Sequence, residues 1–85
     1  MIYQTQGTCS QQIDIEGRDG RITALQFYGG CHGNLQGIAR LVIGMPYDEV
    51  IARLEGIRCG GKPTSCPDQL AQAVRLLKQQ DERRP

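Results

Sequence analysis

Four cysteines and a single histidine hold most of the reactive chemistry this 85-residue chain offers: Cys9, Cys31, His32, Cys59 and Cys66. Thiolate sulfur and imidazole nitrogen are the ordinary ligands of a tetrahedral zinc ion. All four cysteines, or three of them with His32, would complete one such site. A closed zinc site would add folding free energy on the order of 10 kcal/mol. An iron–sulfur cluster calls for the same number of thiolates. The cysteines are separated by 21, 27 and 6 residues, with no close Cys-x-x-Cys knuckle, so spacing alone does not select a metal.

The same residues are open to thiol–disulfide exchange, with Cys66 attacking and Cys59, in the same loop, resolving. The plainer alternative is a set of unliganded thiols along a loop edge. Cys31 beside His32 has the composition of a Cys–His nucleophile pair. Neighbouring residues point apart, however, and no third group orients them, so no catalytic residue is assigned. A lone loop histidine ordinarily faces solvent.

Cys66 has the most informative surroundings, the run Lys62-Pro63-Thr64-Ser65-Cys66-Pro67-Asp68-Gln69-Leu70-Ala71. Pro63 stiffens the approach, and Thr64 and Ser65 are good N-cap residues. Pro67 falls where a helix can do without an N–H. Asp68, three residues after Ser65, approaches a capping-box pattern and suits a helix N-terminus. A thiol delivered to that place has its thiolate form favoured, which fits a metal ligand or a nucleophile. None of the four cysteines is expected at a core-facing helical position.

The elements that must position these residues follow from the alternation and the turn residues. Strands are expected over residues 1–8, 11–16 and 21–28, and Ile13 and Ile15 alternate with Gln12, Asp14 and Glu16. Gly17-Arg18-Asp19-Gly20 supplies the hairpin turn between the second and third. Asn34 is expected to cap a helix reaching about residue 43, and Met45-Pro46 to open a second, stopped by Gly56 with Ile57 folding back. A third helix over residues 67–80 carries the stripe Leu70, Ala73, Val74 and Leu77. The fold class is thus α+β, a three-stranded antiparallel meander with three helices packed on one face, β-β-β-α-α-α. Residues 1–80 make one domain and residues 81–85 a frayed tail.

Gly29-Gly30-Cys31-His32-Gly33-Asn34 interrupts the pattern between sheet and first helix. Its glycines imply unusual backbone angles. Leading into a helix, Gly29, Gly30, Gly33 and Asn34 form a candidate loop for an anion or a nucleotide. The P-loop lysine and the Gly-x-Gly-x-x-Gly spacing are both missing, so turning the chain is the simpler role.

Composition removes several function classes. A net charge of +1 with no basic block gives little to neutralise phosphates, which excludes a nucleic-acid binder. No apolar run approaches the roughly 20 residues that span a bilayer. The first residues lack the basic start and apolar segment of a secretory signal, so a cytoplasmic location is expected. There, cysteines serve metal or redox chemistry more often than structural disulfides. The aromatic stock is Tyr3, Phe27, Tyr28 and Tyr47. So thin a core invites help from a metal or from a second copy paired along an exposed sheet edge as a homodimer.

The run Thr64-Ser65-Cys66-Pro67-Asp68 resembles the motif that names the TSCPD domain family, and the likeness extends along the chain. Gly30-Cys31-His32-Gly33-Asn34-Leu35, Gly44 to Pro46 and Gly56-Ile57-Arg58-Cys59-Gly60 look like the small stand-alone members, which carry four cysteines. By that resemblance Cys9, Cys31, Cys59 and Cys66 are one shared site. The domain is also similar to the C-terminal extension of certain adenosylcobalamin-dependent ribonucleotide reductases, and its small members often inherit the name ribonucleoside-diphosphate reductase. The resemblance implies an accessory part in nucleotide metabolism and a ribonucleotide reductase or related protein as partner. Ribonucleotide reduction itself needs a large barrel to shield a thiyl radical, which a chain of this length is not expected to enclose.

Overall fold

The computed structural model describes residues 1–8, 10–30 and 32–83. Three strands, β1 (Ile2–Gln4), β2 (Ser10–Arg18) and β3 (Arg21–Gly29), form an antiparallel sheet in the order β1-β2-β3. Three helices follow, α1 (His32–Val42), α2 (Tyr47–Leu54) and α3 (Cys66–Arg83). This is the α+β arrangement the alternation predicts.

The alternation on β2 decides which face is dry. Ile13 and Ile15 are fully buried and stand opposite Phe27 and Leu25 of β3. Ile22 of β3 joins them, and Val50 and Ile51 of α2 with Leu70, Ala73, Val74 and Leu77 of α3 close over the sheet as one core. The hairpin between β2 and β3 turns at Asp19 and Gly20, with φ of 55° and 79°. Two consecutive positive φ values define the turn whose twist matches the flanking strands, hence the Asp-Gly step. Tyr47 reaches the core beside Gly17. A Cβ on that glycine would stand 2.6 Å from Tyr47 Cζ and 2.7 Å from its Cε1.

Several boundaries differ from the sequence expectation, each for a physical reason. The first strand ends at Gln4, because the Gln6 N–H leaves the sheet and donates to Gln69 Oε1 at 3.1 Å. The second strand is longer than expected, and register shifts between Ser10 and Gln12 and between Glu16 and Gly17 absorb the extra length. α1 begins at His32, so Asn34 lies in its first turn and is not the cap. Positive φ at Gly29 (79°) and Gly30 (80°) turns the chain so early that the helix starts before the best capping residue.

Pro46 stands before α2 with extended angles, φ −60° and ψ 146°, and Asp48 and Glu49 occupy the first turn as expected. α2 ends with the Glu55 N–H on Ile51 O at 3.0 Å and Gly56 at φ 86°. Ile57 turns back with its N–H on Leu54 O at 3.4 Å, its side chain 40 % exposed. α3 runs past residue 80 to Arg83. Its last turns are tied to α2, Tyr47 Oη donating to Asp81 Oδ2 at 2.7 Å and Lys78 Nζ to Asp48 Oδ1 at 2.7 Å. No helix among the described residues is long and apolar enough to cross a membrane.

Candidate functional site

The run of residues 64–68 builds the N-terminus of α3 one side chain at a time. Ser65 is the N-cap: its Oγ accepts from the Asp68 N–H at 3.1 Å, and its carbonyl accepts from the Gln69 N–H at 2.8 Å. The same hydroxyl donates to Ile57 O at 2.6 Å, fastening the preceding loop to the helix start. Pro67 follows within the first turn, where its missing N–H leaves no bond unmade.

Asp68 does not complete a reciprocal capping box. Its carboxylate accepts instead from the Thr64 hydroxyl and, at 2.8 Å, from the Gly56 N–H at the end of α2. The Thr64 hydroxyl is the leading cause that holds the Asp68 carboxyl below its ordinary value of 3.8. Burial works against it, while Gly56 and Gln72 reinforce it.

Gln69 extends this network to the sheet. Its Nε2 donates to Thr64 Oγ1 at 3.0 Å, while its Oε1 accepts from the Gln6 N–H and from Tyr3 Oη at 3.3 Å. Burial, with the Asp68 charge adding, pushes the Tyr3 phenol above its ordinary value, so it keeps the proton it donates. Gln69, 7 % exposed, thus connects β1, the loop after it and the helix start. Its importance was not legible in the sequence, where a glutamine in a helical stretch reads as solvated surface.

Cys66 is the first residue of α3, as expected, but it is buried at 8 % exposure and does not stand on an open loop edge. Its Sγ lies 3.2 Å from Ser10 Oγ, itself buried. Ser10 is the first residue of β2 and pairs in register with Gly29 at the end of β3. One point therefore gathers Cys66, the residue next to Cys9 in the chain, and the end of the strand that leads to Cys31. Cys9 and Cys31 themselves lie outside the described residues. Among the described residues no three His, Cys, Asp or Glu side chains gather as a metal-binding group.

Cys59 is exposed. Its backbone is folded against the motif, the Cys59 N–H donating to Thr64 O at 3.2 Å and the Lys62 N–H to Cys59 O at 3.0 Å. The glycine-rich stretch that includes Cys59 is thus a closed turn abutting the helix start. It places an exposed thiol and a buried one at the two ends of one short loop.

The glycine loop before α1 starts at Gly29, the partner of Ser10, and runs on to a cleft. Gly29, Gly30 and His32 border a cleft of about 530 Å³ between β3 and α1. Gly33 and Asn34, the other two members of the candidate anion loop, do not line it. His32 is exposed at the first position of α1.

Comparison with known proteins gives one family match. The family model described as TSCPD domain matches residues 1–78 of the 85. No curated protein matches, and no solved structure matches.

Proposed function

Since the chain belongs to the TSCPD domain family, we propose that Cys9, Cys31, Cys59 and Cys66 form one structural metal site. The domain acts as an accessory or binding module to a ribonucleotide reductase or another protein of nucleotide metabolism. The metal is zinc, and the role of the site is to hold the end of the domain where the loops meet. The observation that carries this reading is the position of Ser10. Its hydroxyl touches the Cys66 sulfur while its backbone pairs with Gly29. Ser10, the neighbour of Cys9 in the chain, and Gly29, two residues before Cys31, thus support the reading from the sheet side. The Cys59 turn closes on Thr64 from the other.

The chemistry of the donor set agrees. Four thiolates suit zinc, and a helix N-terminus favours the thiolate form of Cys66. Bound zinc would neutralise sulfur charge and tie four separate segments, with no substrate chemistry of its own. His32 stands as an alternative fourth ligand.

Elemental mass spectrometry on untagged protein purified without chelator tests this, together with a thiol count. The expected result is about one zinc per chain, with thiols that react only after denaturation or chelation. Iron with visible charge-transfer absorbance would replace zinc by an iron–sulfur cluster. Metal-free protein with an intact fold would overturn the reading. A reversible Cys59–Cys66 disulfide in that protein would favour thiol exchange. For the partner, immobilised domain should retain an adenosylcobalamin-dependent ribonucleotide reductase lacking its own C-terminal extension. Failure to retain it would remove that partner.

A further inference from the structure

The cleft between β3 and α1 is a second candidate site, which shares Gly29, Gly30 and His32 with the segment that carries Cys31. Leu25 and Phe27 from the inner face of β3 and Leu35 from α1 give it an apolar side, Gln26 and His32 add polar groups, and its size is about 530 Å³. Sites for small organic ligands typically measure about 300–1,000 Å³ and combine apolar walls with a few polar groups. Here the polar side of α1 contributes Gln36 and Arg40, one helical turn apart.

The electrostatics of this cleft are one-sided. Residues 20–47, which supply every wall, contain Arg21 and Arg40 and not one Asp or Glu, in a chain with nine acids. The salt bridges among the described residues join other groups, and none involves Arg40. Arg40 is therefore an exposed guanidinium at the rim of the cleft, in no salt bridge among the described residues. A guanidinium fork matches a carboxylate, sulfonate or phosphate, two N–H groups to two oxygens. A ring would find apolar surface at Leu25, Phe27 and Leu35.

We propose that the β3–α1 cleft binds a small organic anion carrying a flat ring, with its acid group on Arg40 and its ring against Leu25, Phe27 and Leu35. Gln36 borders the acid group and adds a neutral amide.

Two probes of this class test the proposal: adenosine 5′-monophosphate by ligand-observed NMR and 1-anilinonaphthalene-8-sulfonate by fluorescence. Both are titrated into the whole chain in its purified, metal-replete form. At least one probe should saturate at one per chain, at roughly millimolar or lower concentration. Arg40→Ala, and Gln36→Glu, which puts a carboxylate beside Arg40, should each weaken it about tenfold or more. Both positions are exposed, and an unchanged circular dichroism spectrum and melting temperature will show that the variants fold. Inorganic phosphate and adenosine alone should each bind at least about tenfold more weakly than the joined molecule.

Three results would overturn the proposal: neither probe saturating, affinity unmoved by both variants, or phosphate alone binding as tightly as the nucleotide. Light scattering covers one more occupant. A dimer that Arg40→Ala converts to monomer, with neither probe bound, would assign the cleft to a second copy.

Discussion

Replacing Ser65 by alanine is the sharpest test of how the motif holds its cysteine. The hydroxyl is buried at 4 % exposure and makes two bonds of different kinds. As N-cap it satisfies the Asp68 N–H, and loss of such a cap costs about 1 kcal/mol. As donor it satisfies Ile57 O, and a buried acceptor left unmatched costs about 1–3 kcal/mol. Ile57 itself is 40 % exposed, so water can reach part of that strand of chain and the lower end applies. The sum is about 2–3 kcal/mol, against a total stability of about 5–15 kcal/mol for an ordinary domain. For a domain of this size that corresponds to a fall in melting temperature of roughly 10–20 °C. Urea unfolding followed by far-ultraviolet circular dichroism reads the change. The rate of Cys66 modification by an aromatic disulfide, measured below the transition, should rise with it, since the cap that fixes its helix turn is gone. A stability loss under about 0.5 kcal/mol, the range of ordinary surface substitutions, would refute the account of Ser65 as a two-way fastener.

Three further outcomes follow from the same geometry. Gly17→Ala should destabilise by about 1–3 kcal/mol, because the new Cβ meets the buried Tyr47 ring, which must move and strain its bond to Asp81; calorimetric melting against wild type checks it. Asp68 has a lowered folded-state value, so its contribution is present above the ordinary 3.8 and is lost as pH falls through the folded value. Urea midpoints measured from about pH 6 down to about pH 3 should fall in wild type, and Asp68→Asn should be less stable at the upper end with a flatter profile. Cys66→Ser should lower zinc content and stability together; a stable, fully metallated serine variant would remove Cys66 from the ligand set.

The parts of the fold that depend on local pattern were legible in the sequence. Ile13 and Ile15 alternate with polar neighbours and are buried, and the Asp19-Gly20 turn has the two positive φ values its residues suggest. Leu70, Ala73, Val74 and Leu77 recur at helical spacing and face the core. Two of the expectations that failed involve partners distant in sequence, and a third a local competition. Nothing near Gln6 shows that its N–H will leave the sheet for Gln69, 63 residues away. Nothing near Asp81 shows that Tyr47 will hold it, so a charged C-terminal run reads as fraying. Asn34 obeys a sound capping rule, but two glycines at positive φ bring the chain into helical geometry earlier.

The candidate site divides along the same line. The helix start at Cys66 was legible because Ser65, Pro67 and Asp68 act within one turn. The burial of Cys66 was not, because it depends on Ser10 across the fold. Arg40 also escaped notice, since an arginine on a helix is ordinary until the cleft beside it is known to hold no acid.

Four letters of the motif serve the fifth. Thr64 orients Asp68, and Asp68 seizes the Gly56 N–H, so the loop between α2 and α3 is fixed at its two ends. Ser65 pins the middle of that loop at Ile57, and Pro67 starts the helix without an unmade bond. The hydrogen bond described for the Cys66 side chain faces Ser10 and the sheet. A structural cysteine valued only for its volume would sit in the apolar cluster of Ile13, Ile15, Val50 and Val74, and Cys66 is not a member of it. Its sulfur stands 3.2 Å from the buried Ser10 hydroxyl, and the buried Ser65 precedes it in the chain. The bonds of Thr64, Ser65 and Asp68 thus fix the helix start that carries Cys66, the kind of support from outside its own metal that a coordinating sulfur would need.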